Sequence, residues 1–167
     1  DQQLFAVNFS ISLRRILFLL IPISILIVIL RAQIVRVILG TGAFDWENTY
    51  YTAQTLGFFA LSIFAQGLIP LLARSFYAYE DTKTPMMISI FSITINVLLS
   101  WFLSKSMGVM GLALAFSISS ILNMFLLYIT LHFRIPDIDH AKILTSLNKI
   151  AVNALLAGFV AYAGLQI

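Results

Sequence analysis

Long stretches without a charged residue constrain this chain more than any other feature of its sequence. Five such stretches contain no Asp, Glu, Lys or Arg: residues 16–30, 50–72, 86–103, 109–131 and 150–167. A helix that crosses a bilayer needs about 20 consecutive, mostly apolar residues. Only 10% of the 167 residues are charged, against about 25% in soluble domains, which is too few to solvate a globular surface. The sequence therefore predicts an all-α integral membrane protein.

We predict about five transmembrane helices separated by short polar loops. The predicted spans are 14–39, 50–73, 85–104, 108–132 and 147–167. Before the first span, Leu4, Val7 and Ile11 recur at helical spacing. They indicate either a short amphipathic helix at the membrane interface or the first turns of the first span. Since the sequence opens without a Met and stops inside an apolar run, we expect it to be a fragment.

The lysines and arginines of the loops predict the orientation of the helices, because such residues are in excess on the cytoplasmic side. Arg31, Arg36 and Lys105 fall on one side of the predicted spans. Seven basic residues fall on the other: Arg14, Arg15, Arg74, Lys83, Arg134, Lys142 and Lys149. We expect this second side to be cytoplasmic, so the first span runs outwards. Basic residues scattered in this way do not form a nucleic-acid surface, despite the net charge of +3.

Polar side chains recur at helical spacing in the third and fourth spans. Ser89, Ser92, Asn96 and Ser100 share one face of the third span, and Gly111, Ala115, Ser119 and Asn123 form a stripe on the fourth. Such faces favour interhelical hydrogen bonds and close packing. They also suit a pore lining or an ion site. We predict that the two faces pack together with Asn96 and Asn123 satisfied, and we take Asn96, Ser100 and Asn123 as candidate functional residues inside the membrane.

Charged residues elsewhere admit two interpretations each. Arg31 and Arg36, five residues apart, point about 140° from each other on a helix. Either their guanidinium groups extend to the lipid headgroups or one of them faces an anionic substrate.

A loop with two histidines and two aspartates, His132, Asp137, Asp139 and His140, superficially resembles a metal cluster. A solvated linker explains it better, and no cysteine or catalytic motif is present. We therefore predict no metal and no catalytic residue.

The segment from Arg74 to Pro85 is the densest polar cluster in the chain. Asp81 or Thr82 is suited to cap the third span, Pro85 suits its first turn, and Arg74 and Lys83 follow the topology rule. The string ARSFYAYEDTKTP at 73–85 also resembles the turn signature of the MurJ/MviN lipid II flippase family. Further motifs match that family in order: RRILFLLIP (14–22), IVRVILGTGAF (34–44) and GVMGLALA (108–115). Residues beyond 140 match only in hydropathy.

This resemblance implies a transporter and no enzymatic activity. Members of the family belong to the multidrug/oligosaccharidyl-lipid/polysaccharide exporter superfamily and have fourteen helices in two lobes. The matched segments correspond to helices nine to thirteen, so this chain would be part of the C-terminal lobe without the N-terminal lobe. The implied cargo is lipid II or a similar undecaprenyl-linked lipid. It would move from the inner to the outer leaflet of the bacterial cytoplasmic membrane by alternating access, driven by a coupling cation or the membrane potential.

The resemblance also bears on site residues and partners. The family's cavity arginines lie on helices outside this chain, so Arg14 and Arg15 are not assigned to the substrate and the substrate-binding residues stay unknown. The chain would supply scaffold, part of a lipid-tail groove near the fifth span, and a cytoplasmic hinge loop with Arg74, Asp81, Thr82, Lys83 and Pro85. Its expected partners are membrane lipids and the missing lobe. Competing interpretations are a polysaccharide-lipid or multidrug exporter, a membrane-embedded enzyme acting on lipid-linked substrates, and a structural membrane subunit.

Overall fold

α-Helices account for nearly all of the described part of the chain in the computed structural model. The structure describes residues 2–39, 45–134, 149–158 and 163–164. The helices are α1 (Gln2–Leu39), α2 (Trp46–Ala60), α3 (Ile63–Ala78), α4 (Lys83–Met107), α5 (Val109–Arg134) and α6 (Lys149–Gly158). Because no strand occurs within these ranges, the predicted all-α fold class is confirmed.

Within the described residues, four helical segments are long and apolar enough to cross a membrane. They are Val7–Leu39 within α1, Trp46–Ala78 formed by α2 and α3, and the whole of α4 and α5. The fifth predicted span, 147–167, is described as α6 over ten residues, and most of its remainder lies outside the described residues. Since α1 is continuous from Gln2, the residues before the first predicted span are its first turns and not a separate interfacial helix.

The second predicted span is one apolar run in the sequence but two helices in the structure. It begins at Trp46, where the Asp45 carboxylate accepts a hydrogen bond of 2.9 Å from the Trp46 N–H, and it ends at Ala78. Between α2 and α3 the helix tightens at Leu61 and Ser62, whose N–H groups bond to carbonyls three residues back, at Phe58 and Phe59. Hydropathy does not reveal this break, because the uncharged run of residues 50–72 continues through Leu61 and Ser62 without interruption.

The helix α5 is central to the bundle. It packs against α2, α3 and α4, while α1 covers the other side of α2 and α3. The largest apolar core joins the beginning of α1 to the ends of α3 and α5, and consists of Phe9, Leu13, Leu17, Leu68, Leu72, Phe76, Leu127 and Leu131. This core lies at the end of the bundle that the basic residues predict to be cytoplasmic.

A single residue joins α4 to α5. Gly108 has φ 57° and ψ −132°, a left-handed conformation that glycine adopts far more readily than other residues. Three residues later, a Cβ on Gly111 would fall on the backbone carbonyl of Leu103, so the two helices begin their contact with almost no space between their backbones. The predicted packing of the third span on the fourth is confirmed.

Candidate functional site

The turn between α3 and α4 ends one helix and begins the next within four residues. The Asp81 N–H bonds to the Phe76 carbonyl at 3.1 Å, and the Glu80 N–H bonds to the Tyr77 carbonyl at 3.0 Å. This is the Schellman arrangement, which places one residue in the left-handed region and usually selects glycine there. Here Glu80 has φ 58°, a conformation that costs about 1 kcal/mol or more for a residue with a Cβ. The turn is therefore held against local backbone strain.

Asp81 supplies the interactions that hold the turn. Its carboxylate accepts hydrogen bonds from the backbone N–H groups of Lys83 and Thr84, at 3.1 and 3.0 Å, and from the Thr84 hydroxyl at 2.6 Å. It also forms an ion pair of 2.6 Å with Arg134, at the end of α5. The Thr84 hydroxyl and N–H bonds and the nearby Arg134 charge hold the pKa of Asp81 below its ordinary value. One carboxylate thus caps α4 and fastens α5 to it.

Aromatic side chains extend this arrangement to α1. The Arg134 guanidinium carbon lies 5.8 Å from the ring centroid of Phe76, which is fully buried. Tyr79, at the end of α3, meets Phe5 of α1 edge to face, with centroids 5.3 Å apart. We call this set, Phe5, Phe76, Tyr79, Asp81 and Arg134, the cytoplasmic latch. It joins α1, α3, α4 and α5 at one end of the bundle.

The residues that the sequence singled out in this turn differ in what they contact. Among the described residues, Asp81 alone of this group forms side-chain bonds that join two helices. Thr82 occupies the N-cap position without a side-chain bond, Pro85 is buried in the first turn of α4, and Arg74 and Lys83 are exposed. Arg134 and Phe76 were missed as members of the site, because nothing in the sequence pairs Asp81 with a residue 53 positions away.

Acid should loosen the latch. Since folding lowers the pKa of Asp81 from its ordinary value of 3.8, the ionised carboxylate stabilises the fold above that pH, and this stabilisation is lost as the pH falls through the lowered folded-state pKa. We expect the thermal unfolding midpoint in detergent to be lower for Asp81→Asn than for the unmodified chain near pH 7. The difference should shrink below about pH 4.

The neighbouring exposed carboxylate provides the control for this pH dependence. Glu80→Gln removes the same charge one residue away and should leave the acid-dependent loss in place. If the midpoints of Asp81→Asn and the unmodified chain differed by the same amount at every pH, Asp81 would not contribute through its charge.

A polar seam lies between α4 and α5. The Asn96 amide donates a hydrogen bond of 3.0 Å to the Ser119 hydroxyl, so Asn96 is satisfied inside the bundle as predicted. For Asn123 the structure differs: its side-chain oxygen is buried without a hydrogen-bond partner among the described residues, as is the Ser92 hydroxyl. Ser100, further along the same face, is half-buried. The seam therefore packs the two helices together and leaves two buried side-chain oxygens, those of Ser92 and Asn123, without a hydrogen-bond partner among the described residues.

A second hydroxyl cluster closes the break between α2 and α3. The Ser117 hydroxyl of α5 donates a bond of 2.6 Å to the Phe58 carbonyl and lies 3.1 Å from the Ser62 hydroxyl. The Gln66 amide donates to Ser62 at 2.9 Å. Backbone carbonyls released by an irregular helix need such partners in a membrane, because lipid supplies none. Ser117 was not singled out by sequence reasoning.

The two arginines near the outer end of α1 occupy different surroundings. The Arg36 guanidinium lies 4.6 Å from the ring centroid of Trp46 and is exposed, as expected of a side chain that extends to the headgroups. Arg31 is half-buried and crosses α2 at Gly57, where an added Cβ would lie 2.9 Å from its Cδ and Nη1. The two side chains do not converge on one anion site.

An open apolar groove runs between α1, α3, α5 and α6. Its volume is about 750 Å³. The described lining contains two polar residues, Ser24 and Tyr128, and is otherwise apolar: Leu13, Leu17, Ile21, Ile25, Val28, Ile29, Ala60, Leu61, Phe64, Leu68, Leu72, Met124, Phe125 and Leu155. Such a surface suits a hydrocarbon chain, and none of these residues carries a charge for an ionic headgroup.

The histidine and aspartate loop lies mostly outside the described residues, with only His132 inside them. In the described ranges no group of three His, Cys, Asp or Glu residues is placed to hold a metal ion.

Comparisons with known proteins connect this geometry to a family. A family model described as lipid II flippase MurJ matches residues 1–167. The chain is similar to a probable lipid II flippase MurJ of Rhizobium tropici, with 36% identity over 74% of this chain and 23% of that protein. It is also similar to the lipid II flippase MurJ of Thermosipho africanus, with 29% identity over 97% of this chain and 32% of that protein.

A solved structure shows the same fold. The chain is similar to a structure titled lipid II flippase MurJ, inward closed conformation, with a TM-score of 0.85 and 26% identity over 98% of this chain and 34% of that one. The chain thus spans between 23% and 34% of the length of these relatives.

Proposed function

Because the chain belongs to the MurJ lipid II flippase family, we propose that it forms part of a flippase for an undecaprenyl-linked peptidoglycan precursor. The cargo would be lipid II or a close analogue, moved from the inner to the outer leaflet of the bacterial cytoplasmic membrane. The observation that carries the proposal is the open apolar groove of about 750 Å³. A polyprenyl chain is a long hydrocarbon, and the groove offers it a long, almost uncharged surface.

The pyrophosphate and sugars of such a lipid would bind elsewhere. No Lys or Arg lines the described part of the groove, and a pyrophosphate needs cationic or N–H donors. The part of the relatives that lies beyond this chain would supply them. In this proposal, this segment binds the hydrocarbon tail of the lipid, and the remaining helices of the transporter bind its headgroup.

Alternating access requires a body that moves without deforming. The cytoplasmic latch ties four helices at one end, and the Ser117 cluster fixes the break between α2 and α3 further along. Both favour motion of this segment as a unit. The hinge assigned to the exposed residues Arg74, Thr82 and Lys83 would then lie between this segment and other parts of the transporter, and the turn itself would not flex. Packed helices change relative position by rigid-body rotation more readily than by internal rearrangement.

The energy source is part of the same proposal. A transporter moves cargo in one direction only if a ligand or field favours one state over the other. A coupling cation or the membrane potential would do so, and the seam between α4 and α5 offers the buried oxygens of Ser92 and Asn123. No carboxylate lies within α4 or α5, so a cation held there alone would be bound weakly.

The test is a chimera in which residues 1–167 replace the matching third of the Thermosipho africanus relative. It is produced in a bacterium depleted of its own flippase, and both survival and accumulation of lipid II in the inner leaflet are measured. We expect survival with normal precursor turnover. Lysis despite correct membrane insertion of a folded chimera would favour an exporter of another lipid-linked cargo.

Two matched substitutions on α1 test the groove within the same chimera. Val28→Trp places a large ring in the groove, whereas Leu19→Trp adds the same ring on an exposed position outside it. We expect Val28→Trp to slow precursor turnover at least tenfold and Leu19→Trp to leave it unchanged. Equal turnover in the two variants would show that the groove does not hold the transported lipid.

A further inference from the structure

A second cleft lies on a neighbouring face of α1, where α6 packs against it. Its described lining includes three cationic side chains, Arg14 and Arg15 of α1 and Lys149 of α6. No carboxylate occurs among the described lining residues. The volume is about 730 Å³, which is comparable with the groove. The cleft therefore concentrates positive charge at a place where two helices meet.

This cleft and the apolar groove use different faces of α1. Leu13, Leu17 and Val28 face the groove, whereas Arg15, Phe18 and other residues face the cleft. With 3.6 residues per turn, the centres of the two faces are about 90° apart around the helix. A molecule in the cleft thus does not occupy the groove that we assign to the transported lipid.

The cationic side chains lie at the rim of the cleft and are available for a ligand. Arg14 donates its Nε–H to the Ser10 carbonyl at 3.2 Å, which fixes the side chain and leaves the remaining four N–H groups of the guanidinium free to donate. Arg15 and Lys149 are exposed. Arginine suits phosphate because two parallel N–H groups match two phosphate oxygens.

Apart from Asn153, the rest of the described cleft lining is apolar. Phe18 and Pro22 continue along α1, and Ala154 and Ala157 continue along α6, towards the outer end of both helices. Gly158 brings α6 against Ile25 and Ile29 of α1, so the cleft closes in that direction. Along α1 and α6 the described lining thus changes from cationic to mainly apolar. A phospholipid of the cytoplasmic leaflet changes from phosphate to acyl chain in the same direction.

We propose that an anionic glycerophospholipid of the cytoplasmic leaflet binds in this cleft. Its phosphate lies among Arg14, Arg15 and Lys149, and one acyl chain lies along Phe18, Pro22 and α6. Basic pockets between helices on the cytoplasmic side suit anionic headgroups. The bound lipid fills the space between α1 and α6 and neutralises three cations that have no carboxylate partner among the described residues.

The test measures lipid retained by the purified chimera, which contains the full chain and can be examined whether or not it transports. The chimera is exchanged into nanodiscs of phosphatidylglycerol or of phosphatidylcholine, and bound lipid is counted by native mass spectrometry after release. We expect retention of one phosphatidylglycerol and no retained phosphatidylcholine. Equal retention of the two lipids would overturn the proposal.

Two variants locate the retained lipid. Arg15→Gln with Lys149→Gln should weaken retention about 30-fold, because each basic residue near an anionic surface contributes a factor of about five. Lys83→Gln removes an exposed cation from the same side of the bundle but outside the cleft, and retention should not change. Equal loss in both variants would indicate attraction to the surface as a whole and overturn the site.

Competition separates the phospholipid from the transported lipid. Undecaprenyl pyrophosphate carries the same phosphate chemistry and is added to the phosphatidylglycerol-loaded chimera. Retention of phosphatidylglycerol supports a separate phospholipid site. Displacement of phosphatidylglycerol by undecaprenyl pyrophosphate that is itself retained, and whose retention is lost in the Arg15→Gln, Lys149→Gln variant, would assign the cleft to the transported lipid and overturn the proposed occupant.

Discussion

Replacement of Phe76 by alanine should destabilise the bundle more than any other single truncation in the latch. The Phe76 ring is fully buried among the leucines that join α1, α3 and α5. Removal of a buried phenylalanine ring costs about 3 to 5 kcal/mol, because apolar contacts are lost and a cavity remains. We expect the thermal unfolding midpoint in detergent to fall sharply, and the chimera to lose flippase activity at growth temperature.

Two further variants separate the possible causes of this loss. Phe133→Ala makes the same change at a position that is 81% exposed, so its midpoint should change little. Phe76→Leu keeps much of the volume but removes the ring face below Arg134, and it should recover most of the stability. Equal destabilisation by Phe76→Ala and Phe133→Ala would show that the latch core contributes nothing specific.

The second large effect is expected at Gly111, where even one added methyl group has no space. A Cβ there would meet the backbone of Leu103 and Ser104, and a backbone cannot move aside as a flexible side chain can. Overpacking of this kind costs about 1 to 3 kcal/mol. We expect Gly111→Ala to lower the unfolding midpoint and to weaken the packing of α4 on α5, and Gly111→Leu to prevent folding.

A glycine in open surroundings is the control for this substitution. A Cβ on Gly164 would have no neighbour within 4 Å, so Gly164→Ala should leave the midpoint unchanged or raise it slightly, as alanine favours helices over glycine. If Gly111→Ala also raised the midpoint, α4 and α5 would not approach as closely as their backbones indicate.

The long apolar runs predicted helices well, because length and hydropathy alone decide whether a segment can cross a bilayer. The pairing of α4 with α5 was also predictable, since adjacent spans joined by a short turn pack side by side and Asn96 and Gly111 lie on stripes with helical spacing. The prediction that Asn123 is satisfied did not hold for its side-chain oxygen. Spacing places a residue on a face but does not fix which atoms meet.

The break between α2 and α3 and the partner of Asp81 could not be predicted for a different reason. Both depend on contacts between residues far apart in the sequence, Ser117 with Phe58 and Asp81 with Arg134. A single sequence shows that Asp81 can cap a helix. It does not show that the end of α5, with Arg134, lies beside Asp81. The hinge-loop assignment of Arg74, Thr82, Lys83 and Pro85 stays a prediction.

The one-residue connection at Gly108 has a consequence for biogenesis. Only Gly108 separates the last turn of α4 from the first turn of α5. Because no loop lies between them, the two helices enter the bilayer in immediate succession. Much of α4 presents apolar side chains away from the bundle, and among the described helices α5 alone covers its polar seam. We therefore expect the two helices to leave the insertion machinery as a pair, since α4 released first would expose Ser92 and Asn96 to lipid.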